Sequence, residues 1–471
     1  MDYEALLDKW TAEHREEMIE ELMEWVRHKS VSRADLADTE NKAPYGPDCR
    51  AMLDFALKRA ADFGFRAEDH DGYCGSALYG DAEEELGFVA HLDVVPEGGN
   101  WIYAPYAPVV KDGFIIGRGA GDNKAAAIIG LFLMRFLKEN GIRLDKTIRL
   151  MMGCAEETGM ADFRHYIKAG GKVPEFGIVA DAGFPVIYAE KGGWNADILI
   201  PAGKNIKDFR AGNVRNAIPD YAELLIDGVT IEEAKEALSG KDGIEAFESD
   251  DLVKIVAHGK GGHAASPEGT EDAIVLLAKS VAESSLMEKA DLEGLRFIAE
   301  TFRTPYGDGM GFACEDDITG VLTSNAGVIS MEGEKLKLLI DIRYPVKAPI
   351  KEMTEKFLLY LEDNDVEMTY LDVEAPFYIE KDDPKVQALM EVYQKVTGDT
   401  VSQPGTMGGG TYSRVIPNAI TFGPGLPHED ADFLPSGHGF AHAPDEVLHI
   451  ESWLKAFKIY VISALKLGGA M

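Results

Sequence analysis

Three short apolar runs early in this chain each stop on a group that belongs in water or on a metal. "LGFVAH" closes on His91, with Asp93 two residues further on; "RLMMGCAEE" closes on Glu156 and Glu157; "FGIVAD" closes on Asp181. Runs this short, with no polar alternation, suit strands covered on both faces, the condition of a parallel sheet flanked by helices. Between the first two, "NKAAAIIGLFLMRFLKENG" reads as a long helix, with Asp122 as its expected N-cap and Gly141 as its end. Strands alternating with helices predict a largely parallel α/β sheet, whose strand ends fall along one edge, where such proteins bind ligands. The fold that buries these runs therefore gathers one imidazole and several carboxylates at a single place, and Asp122 joins them from the start of the helix.

The chain has 471 residues, too many for one core of ordinary size. Apolar spacing predicts an opening helix over residues 3–27, and the α/β alternation continues to about residue 190. The middle differs. It carries strand-like "WNADILI", "AELLIDG" and "LVKIVAHGKGGHA", helices near 231–239 and 270–284, a hairpin in "GVISMEGEKLKLLIDIRYPV" and a helix at 349–363. From about residue 378 the α/β character returns, with helices at 384–397 and 450–467 around "AITFGPG". The expected architecture is α/β: a discontinuous larger domain, residues 1–190 and 378–471, with a mixed, largely parallel sheet. A two-layer α+β domain, residues 191–377, is inserted in it.

A formal charge of −34 repels phosphate, which excludes nucleic acid and anionic membranes as partners. Four scattered cysteines with no C-x-x-C pair suit a reducing compartment. The charged start "MDYEALLDKWTAEHREEM" lacks the apolar centre of a signal peptide, and the longest apolar run, 125–134, is too short to span a bilayer. A cytoplasmic protein is expected.

On a strand, residues i and i+2 share a face, so Asp93 can hold one ring nitrogen of His91 and leave the other for a metal. Adjacent carboxylates point different ways, so of Glu156 and Glu157 one can ligate while its neighbour acts as a base. Taken singly, each group has a plainer reading: a surface pair, a solvated strand end, a helix cap at Asp122, a turn former at Asp181. Their joint occurrence favours a divalent metal as counter-ion, and mixed N/O ligation suits zinc or manganese better than calcium.

The motifs "HLDVVPEG", "GRGAGDNK", "CAEETG", "DAGFPVIYAEKG", "GGHAASPEG" and "HAPDE" occur in that order. In this the chain resembles metallopeptidase family 20, the di-zinc group of aminoacylases, desuccinylases, carboxypeptidases and PepV-type dipeptidases. The resemblance runs from the first helix to the C-terminus. It implies that residues 1–190 and 378–471 are a catalytic domain and the insert 191–377 its lid domain. The former would hold two divalent metal ions, zinc by family habit, with manganese or cobalt as alternatives. It makes His91 and Asp181 ligands of one metal, Glu157 and His442 ligands of the other, and Asp122 the bridge. It makes Glu156 the general base that takes a proton from a metal-bridged water, with Asp93 orienting His91. In the insert it implies that His263 stabilises the oxyanion, that Asn216 of "GNVRNAIP" is a second contact to the carbonyl oxygen, and that Arg343 of "DIRYPV" grips the substrate carboxylate. "GTMGGGTYSR" has neither the Walker pattern nor the G-x-G-x-x-G fingerprint. Backbone N–H groups of Gly408, Gly409 and Gly410, with Thr411, would form a small anion site, the other reading being a tight turn. Three positions depart from the family pattern: Asn123 for a second Asp, Ala125 for Gly, and "GTEDAI" after the lid histidine.

The long insert, with "GNVRNAIP" and "GGGTYSR", points to the dipeptidase branch and a monomer. The expected activity is metal-dependent hydrolysis of short unblocked peptides. An N-acyl-amino-acid deacylase or desuccinylase is the alternative within the family, and a non-catalytic metal- or peptide-binding protein the alternative outside it.

Overall fold

The computed structural model describes residues 2–471, which fall into two compact units. The first comprises residues up to Tyr188, Ile379–Gly405 and Thr411–Met471; the second comprises Ala189–Tyr378 and Thr406–Gly410.

In the first unit the apolar runs form the centre of a mixed sheet. Its strands run in the order Arg66–His70, Cys74–Tyr79, Thr147–Gly153, Glu85–His91, Phe176–Val179, Ala419–Phe422 and Val186–Glu190. Thr147–Gly153, Glu85–His91, Phe176–Val179 and Ala419–Phe422 are mutually parallel, and the flanking strands are antiparallel. In register His91 lies beside Gly153 and Val89 beside Val179, so the parallel strands finish together. Every residue of Glu85–His91 and Thr147–Gly153 is buried, as expected of strands covered on both faces.

The helix Lys124–Glu139 is buried along nearly its whole length, which explains its lack of a polar face. It begins one residue later than expected. Asn123, not Asp122, is the N-cap, and its side chain makes no capping bond. Asp122 is instead turned to the sheet edge, where it meets histidine. The helices Tyr3–Arg27, Pro384–Thr397 and Ile450–Leu467 stand where the apolar spacing puts them.

The second unit is an eight-stranded antiparallel sheet. Its order is Ile244–Ser249, Leu252–His258, Tyr221–Ile226, Ile206–Ala211, Thr323–Glu332, Lys335–Tyr344, Gly192–Pro201 and Glu367–Glu374. Strict alternation builds it: Trp194, Ala196, Ile198 and Ile200, with Leu336, Leu338, Ile340 and Ile342, are buried on one face. That face forms a core with residues of the helices Ala273–Ala282, Glu293–Thr301 and Ile350–Asp363, giving two layers.

Candidate metal centre

The parallel register decides which side chains meet. His91 ends its strand 1 % exposed, and its Nε2 lies 3.0 Å from Asp122 Oδ1 and 3.7 Å from Asp181 Oδ1. His442, half exposed, sets its Nε2 3.1 Å from both Asp122 Oδ2 and Glu157 Oε2. The Asp122 carboxylate thus stands between the two imidazoles, one oxygen towards each. Two sets of donor atoms, His91–Asp122–Glu157 and His91–Glu156–Asp181, each lie within 4.8 Å of one another.

Much of the framework behind these groups consists of buried carboxylates that accept backbone N–H bonds. Asp93 Oδ1 and Oδ2 accept from the amides of Glu156 (3.2 Å) and Glu157 (3.1 Å), fixing the turn that presents both glutamates. Its link to His91 differs from the expected one: Nδ1 bonds the Asp93 backbone carbonyl at 2.9 Å, while the carboxylate stands 3.5 Å away. Asp162 holds the preceding residues, accepting from the amides of Cys154 (2.7 Å) and Ala155 (3.0 Å) and from the Tyr412 hydroxyl (2.6 Å). Glu446 accepts from Gly121 and Asp122 at 2.8 and 2.9 Å and pairs with Arg118 at 2.8 Å. Asn123 ties two strand ends together: its Oδ1 accepts from His91 N, and its Nδ2 donates to Ala180 O and Asp181 Oδ1.

The charges are compressed. Burial pushes the Glu156 carboxyl well above its ordinary value, helped by Asp181, and pushes Glu157 up to about 7. Burial also raises Asp181. Hydrogen bonds that His442 donates to Asp122 and Glu157 lift it to about 10. Burial works against a proton on His91, but Asp181, Asp122 and Asp93 outweigh it and raise its pKa well above the usual imidazole value. Asp122, despite burial, is lowered by its bonds to His442 and His91. Among the described residues, no lysine or arginine forms an ion pair with Asp122, Glu156, Glu157 or Asp181. Glu157 Oε1 is buried without a hydrogen-bond partner. An acidic cluster paired with two imidazoles but with no lysine or arginine, and with one orphaned oxygen, fits divalent cations.

The remaining candidates belong to the second unit, apart from Thr411. Ala217 pairs with His263, and Asn216 O accepts from Ala264 N at 2.9 Å, so Asn216 and His263 share one small ribbon. His263 is exposed, and its Nδ1 accepts from Ala265 N at 3.2 Å. A Cβ on Gly408 would stand 2.8 Å from Ala265 Cβ, so the glycine run lies against the same turn and needs its missing side chain there. Arg343 gives Nε and Nη2 to the two oxygens of Asp341, each at 2.7 Å. Its side-on fork is therefore occupied, and only the end-on face remains for another carboxylate. Thr411, in the first unit, bonds Thr421 Oγ1 at 2.7 Å and accepts from Ser413 N.

Sequence reasoning did not single out Asp162, Tyr412, Asp445 or Glu446. The last two stand within "HAPDE", directly after His442, and could have been found there; Asp162 and Tyr412 are 250 residues apart and leave no local signal.

The sequence profile of peptidase family M20/M25/M40 matches residues 87–466. The chain belongs to this family. It is 30% identical over 467 residues to a Bacillus subtilis protein named "Putative dipeptidase YtjP", covering 95% of this chain and 96% of that one. It is 31% identical over 471 residues to a "Putative dipeptidase" of Staphylococcus epidermidis, covering 95% and 96%. Among solved structures, human carnosine dipeptidase 1 superposes with a TM-score of 0.59 at 14% identity, over 99% of both chains, which speaks for the fold. This M20 chain carries candidate metal-binding residues, and among its described residues no helix is long and apolar enough to cross a membrane.

Proposed function

We propose that this M20 peptidase is a metal-dependent dipeptidase that hydrolyses the amide bond of short, unblocked peptides. The observation that carries the reading is the Asp122 carboxylate standing between His91 and His442, with Glu157 and Asp181 on either side and Glu156 alongside. In this reading His91 and Asp181 would hold one divalent cation, Glu157 and His442 the second, and Asp122 would serve both. Zinc is the first choice, and manganese or cobalt accepts the same donors. The cations supply Lewis acidity, which polarises the scissile carbonyl and makes water nucleophilic at neutral pH.

The chain's own residues do the rest. Glu156, whose burial raises the proton affinity of its carboxylate, takes the proton of the attacking water and passes it to the leaving amine. Asp93 keeps Glu156 and Glu157 in place through their backbone amides. His263 and Asn216 are the candidates for the developing oxyanion, and Arg343, the glycine run Gly408–Gly410 and Thr411 for the substrate carboxylate. The chain is taken to work as a cytoplasmic monomer. The names of the B. subtilis and S. epidermidis relatives favour the dipeptidase reading over deacylation.

A panel of dipeptides and N-acyl amino acids, assayed with apoprotein and defined metals, tests the substrate class. Turnover of acetyl- or succinyl-amino acids with none of any dipeptide would replace it with the deacylase reading. Glu156→Ala should keep its metal content by atomic absorption and lose turnover by about 10²- to 10⁴-fold; unchanged turnover would remove the mechanism.

A further inference from the structure

The first unit contains a cavity of about 770 Å³ lined at one side by Asp122 and Asp181. Its other walls come from the loop 424–441 and from the start of the helix Ile450–Leu467. The volume lies in the range of small-molecule sites, roughly 300–1,000 Å³, far more than metals alone require. His438 lines it.

This histidine is held in a definite way. Its Nδ1 is 2.6 Å from Asp445 Oδ2, and Asp445 is fully buried. Asp445 is itself fixed, accepting from Ile102 N and Tyr103 N at 2.8–3.1 Å. Its backbone takes the left-handed conformation, φ 51°, uncommon for a residue with a side chain. A carboxylate that already collects two N–H bonds accepts a third from imidazole, so Nδ1 carries a hydrogen, and in the neutral ring Nε2 is the acceptor. Nε2 has no partner among the described residues. Asp430 and Asp432, both exposed, also line the cavity, and none of its lining residues is lysine or arginine. A carboxylate would find no lysine or arginine there, only the imidazoles of His428, His438 and His449. An ammonium group would find an acceptor nitrogen and two acids.

We propose that this cavity receives the amino-terminal residue of the substrate and that His438, oriented by Asp445, accepts a hydrogen bond from its free ammonium group. The inference rests on the dipeptidase reading and deepens it, because it names the chemistry that separates a free peptide from an N-acyl amino acid. An acylated nitrogen carries neither the charge nor the three donors.

The test compares Ala-Leu with propionyl-leucine, which differs only in lacking the amino group, in the metal-loaded full-length protein. For the wild type, kcat/KM should favour Ala-Leu. In His438→Ala that preference should fall by about 10- to 100-fold, the worth of one hydrogen bond to a charged group, mainly through KM. His438→Gln, which retains an acceptor, should recover part of it. Circular dichroism and metal content of both variants establish that the fold and the metals are intact. A preference unchanged in both folded variants, or lost equally with His438→Ala and His438→Gln, would overturn the inference while leaving the dipeptidase reading in place. Wild-type turnover of propionyl-leucine without turnover of Ala-Leu would overturn both.

Discussion

The two units solve the problem of placing polar groups in different ways. In the first, His91, Glu156, Glu157 and Asp181 sit at or just beyond the ends of fully buried strands, and buried carboxylates hold the backbone around the site: Asp93 on Glu156 and Glu157, Asp162 on Cys154 and Ala155, Glu446 on Gly121 and Asp122. In the second, aliphatic alternation builds the sheet, and His263 and Asn216 sit on a small ribbon beside it, His263 exposed. The contrast teaches that function and stability are coupled in the first unit and separable in the second. A buried carboxylate that satisfies two amides cannot be removed without leaving them unpaired, whereas an exposed imidazole can.

The largest effect expected from this contrast is at His263. His263→Ala should lower kcat by about 10²- to 10³-fold, as loss of one oxyanion donor does, measured on a dipeptide at saturating metal. Thermal unfolding of the same variant should change by no more than about 0.5 kcal/mol, the usual size for an exposed site. A large loss of stability would break the contrast, and an unchanged kcat would remove His263 from the mechanism.

Asp93 is the counterpart in the first unit, with a smaller expected loss of rate and a larger one of stability. Asp93→Asn leaves one acceptor oxygen for two amides and turns an NH₂ group towards the other. Activity or metal affinity should fall by about 10- to 100-fold. Unlike His263→Ala, the variant should also unfold at lower temperature, because a buried amide is left unpaired at about 1–3 kcal/mol. Full activity with native stability would show that the turn of Glu156 and Glu157 is held by something else.

How much of this was readable in the sequence follows the same division. The strand ends were legible because burial on both faces demands continuous apolar runs, so a histidine or carboxylate closing each run stands out; His91, Glu156, Glu157 and Asp181 were found that way. The second unit's hairpin and its alternating strands were legible because one face is buried and period two survives. The carboxylates behind the site were not. Asp162 reaches Tyr412 from 250 residues away, and nothing local to "GMADFRHY" distinguishes it from an acid in the first turn of a helix. Asp122 is legible both as a helix cap and as a member of the cluster, because a cap and a residue turned to a sheet edge share the same position in sequence; only the neighbouring His91 and His442 tell them apart. His438 was passed over because its partner, Asp445, matters only once the loop has folded back.

The smallest effect expected lies at the other end of the strand that carries His91. Glu85 opens that strand and is as buried as His91, but it is neutralised within the protein: Arg149 donates to it at 2.7 and 3.1 Å, with Lys172 3.1 Å away. Burial pushes Glu85 up, and the bonds and charges of Arg149 and Lys172 together outweigh it and hold the carboxyl below its ordinary value. As the pH falls, the unfolded chain therefore takes up this proton first, near pH 4.3. The stability the pair contributes is present above that pH and is lost as the pH drops through the lower folded value. Glu85→Gln should weaken the protein at pH 7 by about 1.5 kcal/mol, and the gap from wild type should close as the pH is lowered from 4.3. Hydrogen exchange of the amides in Thr147–Gly153, which pairs with this strand, reads the effect locally. A gap that is the same at both ends of the pH range would mean that the charge of Glu85 contributes nothing. One strand would then carry a compensated acid at its start for packing alone, and His91 at its end, with the acids gathered round it, would be its only electrostatic feature.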